Sequence, residues 1–267
     1  MRWIRCLAVG VLTLTLTACA TSPTGRQQLT LVSDAQLNQM GQQAFKQYQQ
    51  ELPSAGDASQ RYAQCVAGAL VRVLPERERQ QDWQIRVFEE ERANAFALPG
   101  GYMGVTTGLL EIAETQDQLA AVVGHEIGHV LARHANERVS TQMATELGLS
   151  VLSTTASMQG PGGQQLMGAL GLGAQFGILL PFSRRHESEA DAIGLRLMAD
   201  AGFDPRQSLA LWDNMSAASG DGRPPVWMST HPSHGQRVAG LQAQMDSAMA
   251  RYEQARQAGR QPDCRRP

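Results

Sequence analysis

The sequence predicts an α+β domain that is mainly α-helical, with a small sheet of about three strands. Three patterns carry this expectation: apolar residues at helical period over several long segments, one short run with two-residue alternation, and a Pro-Gly-Gly turn between two strand-like runs. Asp34 can cap a first helix whose Leu37, Met40, Ala44, Phe45 and Tyr48 follow the 3.6-residue period, and Asp57 can cap a second that runs to Leu74. Trp83, Ile85 and Val87 alternate with Gln84 and Arg86, the signature of a half-buried strand. Residues 94–98 and 102–106 flank Pro99-Gly100-Gly101 and read as a hairpin. In the next segment Leu119, Ala120, Val122, Val123, Ile127, Val130 and Leu131 leave almost no polar face, so that helix is expected to be buried. A further helix covers residues 184–194. Between these two helices, Gly160-Pro161-Gly162-Gly163 precedes an apolar, glycine-dense run to Leu180 that is too short to span a membrane. Two readings stay open for it, packing on the core or a mobile flap.

The buried helix contains His125-Glu126-Ile127-Gly128-His129, the pattern H-E-x-x-H. Positions i and i+4 project from one helix face, so both imidazoles can reach one Zn²⁺ at about 2.0–2.1 Å. Glu126 points about 100° away and can act as a general base. Two histidines and a glutamate inside an apolar helix must all find partners, and a metal ion satisfies the three together. A catalytic zinc requires a third protein ligand. The metzincin pattern would place Gly at 132 and His at 135, but the chain has Ala132 and Ala135, so that class is excluded. Continued as a helix, His134 would lie on the opposite face from His125, as a surface or second-contact histidine. Glu187 and Asp191 share a face of the downstream helix, flanked by Ala190 and Gly194, whose small size permits close approach to the H-E-x-x-H helix. Glu187 is then the third ligand and Asp191 orients a ligand imidazole. Glu189 falls on another face and fits an exposed acidic patch.

These segments resemble a known family. The residues Asn94-Ala95-Phe96-Ala97-Leu98-Pro99-Gly100-Gly101, Val105-Thr106-Thr107-Gly108-Leu109-Leu110, His125 to His129, Glu187-Ser188-Glu189-Ala190-Asp191, and His231-Pro232 with Arg237 are similar to the zinc metallopeptidases of the gluzincin kind. That family includes HtpX, BepA, LoiP, the mitochondrial inner-membrane quality-control protease and the CAAX prenyl protease. The resemblance covers residues 34 to 250 and is spread along the chain. It implies a zincin-like domain holding one Zn²⁺ through His125, His129 and Glu187, with Glu126 as general base. It also implies His231 and Arg237 near the oxyanion, and Asn94, Ala95, Phe96 and Ala97 as the edge that receives extended substrate. His231 has two open roles, an oxyanion donor or a fourth zinc ligand that keeps the enzyme latent. Because the chain stops soon after Arg237, the nearest likeness is expected to be the short periplasmic lipoprotein type.

The N-terminal residues point the same way. Two arginines precede the apolar run 6–18, and Leu16-Thr17-Ala18-Cys19 is a lipobox, so residues 1–18 read as a lipoprotein signal and Cys19 as the lipidated residue. Ala20 follows Cys19 where an inner-membrane retention signal would have Asp, so the expected destination is the periplasmic face of the outer membrane. The expected organisation is a tether over 19–33, one metallopeptidase domain over 34–260 and a short tail over 261–267. Loss of Cys6 with the signal and lipidation of Cys19 would leave Cys65 and Cys264, which can pair in an oxidising compartment. Simple burial is the alternative for Cys65. The formal net charge of −2 gives no reason to expect nucleic-acid binding. The expected function is a membrane-anchored periplasmic zinc endopeptidase acting on unfolded or misfolded envelope proteins. The competing class is a chaperone-like assembly factor, working with the outer-membrane assembly machinery, whose zinc site is latent.

Overall fold

The structure, a computed structural model, describes residues 19–155, 183–219, 225–231 and 235–267. The expected signal at 1–18 and the glycine-dense run at 160–180 lie outside the described residues. In chain order the elements are β1 (Cys19–Thr21), β2 (Gln27–Leu29), α1 (Asp34–Glu51), α2 (Asp57–Arg72), α3 (Glu76–Arg79), β3 (Gln84–Phe88), β4 (Ala95–Leu98) and β5 (Tyr102–Thr106). Then follow α4 (Thr107–Ile112), α5 (Gln116–Leu131), α6 (His134–Thr155), α7 (Arg184–Ala201), α8 (Gln207–Ala218), α9 (Val226–Thr230) and α10 (Gly235–Gln257). The expected fold class holds: helices dominate, and the sheets have two and three strands. Among the described residues no helix is long and apolar enough to cross a membrane.

The described residues divide into two units, residues 19–34 with 133–155, and residues 35–132 with those from 183 onward. In the first unit, β1 and β2 pair antiparallel, with Cys19 opposite Leu29. The stretch expected to be a tether is therefore structured. It is held to α6 by Arg26, which donates to both carboxylate oxygens of Glu137 at 2.7 and 2.6 Å, and by Asn136 Nδ2, which donates to the Val32 carbonyl at 2.7 Å.

In the second unit, α5 is central and packs on α2, α7, α8 and β4. Its Thr115 accepts a hydrogen bond from the Gln118 amide and so satisfies one of the donors that a helix N-terminus leaves open. From Leu119 to His129 the buried positions include Ala120, Val122, Val123 and Ile127, as the sequence pattern requires. Helix α2 buries Tyr62, Ala63, Val66, Ala67 and Leu70 along one stripe. Asp57 is not its cap: Gly56 holds that position with no side-chain bond, and Asp57 contributes its charge from the first turn.

Strand β5 is the middle of the larger sheet, parallel to β3 and antiparallel to β4. The β4–β5 hairpin turns at Gly100 and Gly101, with φ of 91° and 87°, values that side chains disfavour. Thr106 fastens the other end, accepting from the Asn94 amide at 2.8 Å and donating to the Arg92 carbonyl at 2.9 Å. The C-terminal residues are tied down. Cys264 is disulfide-bonded to Cys65 of α2, its amide donates to Gln116 Oε1 at 2.8 Å, and Arg266 donates to the Leu110 carbonyl at 2.9 Å.

Candidate active site

The site forms where α5 and α7 approach through small residues. A Cβ added at Gly194 would stand 2.7 Å from the His125 amide nitrogen, and one at Gly128 would stand 2.8 Å from the Ala190 carbonyl oxygen. Both obstacles are backbone, which cannot swing aside, so any larger side chain separates the helices. Gly194→Ala is expected to lower stability by about 1–3 kcal/mol in chemical denaturation, because this clash outweighs the ~1 kcal/mol that Ala adds to helix propensity. Gly240→Ala in α10, where a Cβ meets nothing within 4 Å, is expected to raise it by about 0.5–1 kcal/mol. The same sign for both would refute the close-approach argument.

Close approach brings four donors together. His125, His129, Glu187 and His231 each offer an atom to a group within 4.8 Å of one another, and all four are buried. His125 Nε2 lies 3.0 Å from His129 Nε2 and 3.3 Å from His231 Nδ1. Glu187 lies 3.4 Å from His125 Nε2, 3.5 Å from His129 Nε2 and 3.2 Å from His231 Nδ1. A tetrahedron with zinc–nitrogen bonds of about 2.05 Å has edges of about 3.3 Å, so these separations suit that ion. Glu187 Oε2 adds a second indication. It is buried and lacks a hydrogen-bond partner; Arg237 Nη1 stands 2.9 Å away without hydrogen-bond alignment. With Oε1 toward His129 and His231 and Oε2 toward His125, this buried carboxylate faces three imidazole nitrogens, an arrangement that fits a cation.

Behind these groups a buried ion network fixes their orientation. His125 Nδ1 donates to Asp191 Oδ1 at 2.9 Å, which places the lone pair on Nε2, toward the other donors. Arg237 clamps the same Asp191 with two bonds, Nε to Oδ2 at 2.7 Å and Nη2 to Oδ1 at 2.6 Å. Its Nη1 donates to the His231 carbonyl at 3.2 Å, and its guanidinium lies 4.6 Å from the Trp212 ring centroid. Burial works against charge on His125, yet the carboxylates of Asp191 and Glu187 outweigh it and hold its pKa up to about 9. Burial likewise opposes charge on Glu187, but His125 and His231 hold its carboxyl far below the usual range. For Asp191, Arg237 and His125 overcome burial in the same direction. Carboxylates that favour an imidazolium also favour a divalent cation, which competes for the same ring nitrogen.

Glu126 is held from two sides. Its Oε2 accepts from the Ala97 amide of β4 at 3.2 Å, and its Oε1 accepts from the Trp227 indole Nε1–H at 2.8 Å. His231 Nε2 is 3.5 Å from the same Oε1.

Several expectations need correction. Arg237, expected near the oxyanion as a donor to substrate or as the residue that fixes the His231 segment, is 1% exposed with Nε, Nη1 and Nη2 all engaged inside the protein, where it holds Asp191 and the His231 carbonyl. His231, whose role was left open, is buried among the other donors. It terminates α9, its amide donating to the Trp227 carbonyl at 2.8 Å. Asn94 precedes β4, with its amide and carbonyl both bonded to Thr106, and Ala95 is buried; of the four nominated residues Ala97 presents its amide to the site. Glu189 is 6% exposed and so belongs to no surface patch. His134 is also buried, and the helix-face argument fails for it because α5 ends at Leu131 and Arg133 has a φ of 54°. Trp227 went unread. The available signal was its place four residues before His231, one helical turn away. The sequence reading also passed over Gly128, the glycine inside the H-E-x-x-H pattern that lets α7 approach.

The spacing, the donor group and the α5–α7 contact agree with the comparison of the whole sequence: residues 57–245 match the description Peptidase family M48. The chain belongs to peptidase family M48. M48 metallopeptidases use zinc, which agrees with the fit of the donor group. A mitochondrial metalloendopeptidase OMA1 from Schizosaccharomyces pombe is 37% identical over 172 residues, covering 64% of this chain and 49% of the relative. The mitochondrial metalloendopeptidase OMA1 of Danio rerio is 32% identical over 243 residues, covering 85% of this chain and 50% of the relative. The β-barrel assembly-enhancing protease of Escherichia coli K12 is 32% identical over 161 residues, covering 57% of this chain and 32% of the relative. The M48 chain thus matches half or less of the length of each of these relatives.

Proposed function

We propose that this M48 chain is a membrane-anchored periplasmic zinc endopeptidase that hydrolyses unfolded or misfolded envelope proteins. The observation that carries the reading is Glu126, a buried carboxylate held between an edge-strand amide and the donor group. A purely structural metal site has no need of it. His125, His129 and Glu187 would hold the ion. When bound, zinc acidifies water and polarises the scissile carbonyl. The rest is done by the chain's own residues. The outer edge of β4 pairs with extended peptide backbone, Glu126 takes a proton from the attacking water and returns it to the leaving amine, and Asp191 with Arg237 keeps the His125 ring in place. The lipobox at 16–19 supports lipid anchoring through Cys19 at the outer membrane. The bacterial relative's name, a protease enhancing β-barrel assembly, supports a role in envelope quality control beside the assembly machinery.

The test is cleavage of an unfolded protein by the full chain with zinc supplied and with zinc chelated, together with fractionation of a Cys19→Ser variant. Zinc-dependent cleavage and release of the variant from the membrane are expected. No cleavage in zinc would sink the enzymatic reading, and unchanged membrane retention would sink lipid anchoring.

One observation favours the second reading, a latent assembly factor: His231 Nδ1 stands within the donor group, where a fourth ligand would close the coordination sphere. Under the endopeptidase reading His231→Ala lowers turnover of a good peptide on the order of 100-fold while zinc is retained by the other three ligands. A rise in turnover would favour latency instead.

A further inference from the structure

The two oxygens of Glu126 are held by donors of different kinds. The Ala97 donor is a main-chain amide on β4, an edge strand whose other side is paired with β5. Its N–H points at Glu126 and so at the side of β4 where a further strand would add. An extended peptide pairing there needs this same N–H for its own carbonyl. The Trp227 donor is an indole N–H on a residue only 2% exposed, which peptide on that edge cannot claim. Its bond is also the shorter, 2.8 Å against 3.2 Å.

Trp227 is itself fixed from several directions. Its ring stacks on His231 at 5.2 Å and 24°, and meets Trp212 at 5.5 Å. Its amide donates at 3.1 Å to the carbonyl of Ala93, two residues before β4 begins. One residue therefore refers the Glu126 carboxylate to the strand on which substrate would lie.

We propose that Trp227 is the positioning residue for Glu126: its indole N–H anchors Oε1 permanently, while arriving substrate takes the Ala97 N–H and so releases Oε2 as the proton acceptor. This rests on the endopeptidase reading above. The base is then docked on the edge strand before substrate arrives and freed at one oxygen by the strand pairing that binds substrate. An anchored Oε1 restricts the freed carboxylate to rotation about one fixed point.

The experiment uses the full chain loaded with zinc and an unfolded peptide substrate, and compares wild type with Trp227→Phe, which keeps the stacked ring and loses the N–H. The Phe variant should lose about 10- to 100-fold in kcat, the range for a hydrogen bond to a charged group, with KM and zinc content unchanged. In a Glu126→Gln background the same change should cost nothing further, since the two residues act as one unit. A readout independent of turnover is the Trp227 indole N–H proton resonance in ¹⁵N-tryptophan-labelled protein, assigned by its absence from the Phe variant. It should move upfield in Glu126→Gln, where a neutral amide replaces a charged acceptor. Should the Phe variant misfold, benzothienylalanine at 227 replaces the N–H by sulfur in the same shape and should give the same kcat loss. Unchanged kcat, loss of zinc, a further loss in the Gln background or an unmoved resonance would each overturn the proposal. Failure of wild type to cleave at all would instead sink the endopeptidase reading, and the resonance would still report on the contact.

Discussion

Glu126→Gln is expected to abolish peptide hydrolysis, with kcat falling by at least about 1,000-fold, while zinc stays near one per chain. General-base catalysis contributes roughly 10²- to 10⁴-fold, and here the same group also returns the proton to the leaving amine. The substitution is nearly isosteric. Glutamine keeps a carbonyl oxygen that can accept from the Trp227 indole, so packing around the site should survive. His125, His129 and Glu187 are untouched, and metal analysis separates a chemical defect from a folding or binding defect. Activity above a tenth of wild type would show that another group takes the proton.

Glu187→Ala is expected to lose zinc by several orders of magnitude in affinity, whereas Glu189→Ala is expected to keep it. Both carboxylates are buried, so exposure alone does not separate them. Direction does. Glu187 reaches the imidazoles of His125, His129 and His231, while Glu189 lies about 200° around α7 from it and is absent from the donor group. Glu189→Ala can therefore cost stability without costing metal. Asp191→Asn should fall between them, losing 10- to 100-fold in zinc affinity, because it still offers an oxygen to His125 Nδ1 but surrenders the charged pair with Arg237. Equal zinc retention by the Glu187 and Glu189 variants in titration against one chelator would refute the assignment of the third ligand.

The difference between Glu187 and Glu189 shows where reading the sequence succeeds and where it stops. Angular position on a helix follows from the 3.6-residue period, so the separation of the two carboxylates is a local fact. The burial of Glu189 is not local, because it depends on what other elements cover that face. The same division runs through the sheet. Alternation at Ile85 and Val87 and the turn at Pro99-Gly100-Gly101 identify the strands, but the parallel pairing of β3 with β5 unites segments that no hairpin joins.

Sequence by itself determined the mainly helical class, the hairpin, the buried H-E-x-x-H helix and the shared face of Glu187 and Asp191. Each depends on periodicity or turn chemistry within a few residues. Tertiary structure alone decided that Arg237 serves Asp191 from behind the site, that His231 stands among the ligand atoms, that Ala97 presents its amide to Glu126 and that Trp227 holds the base. Trp227 and Glu126 are 101 residues apart, and Arg237 and Asp191 are 46 apart. At such separations no repeat links one residue to the other. Glycine lets α5 and α7 close to backbone contact, which sets His125 and His129 against Glu187 and Asp191, and three further elements, β4, α9 and α10, then deliver Ala97, Trp227 and Arg237 to that pair.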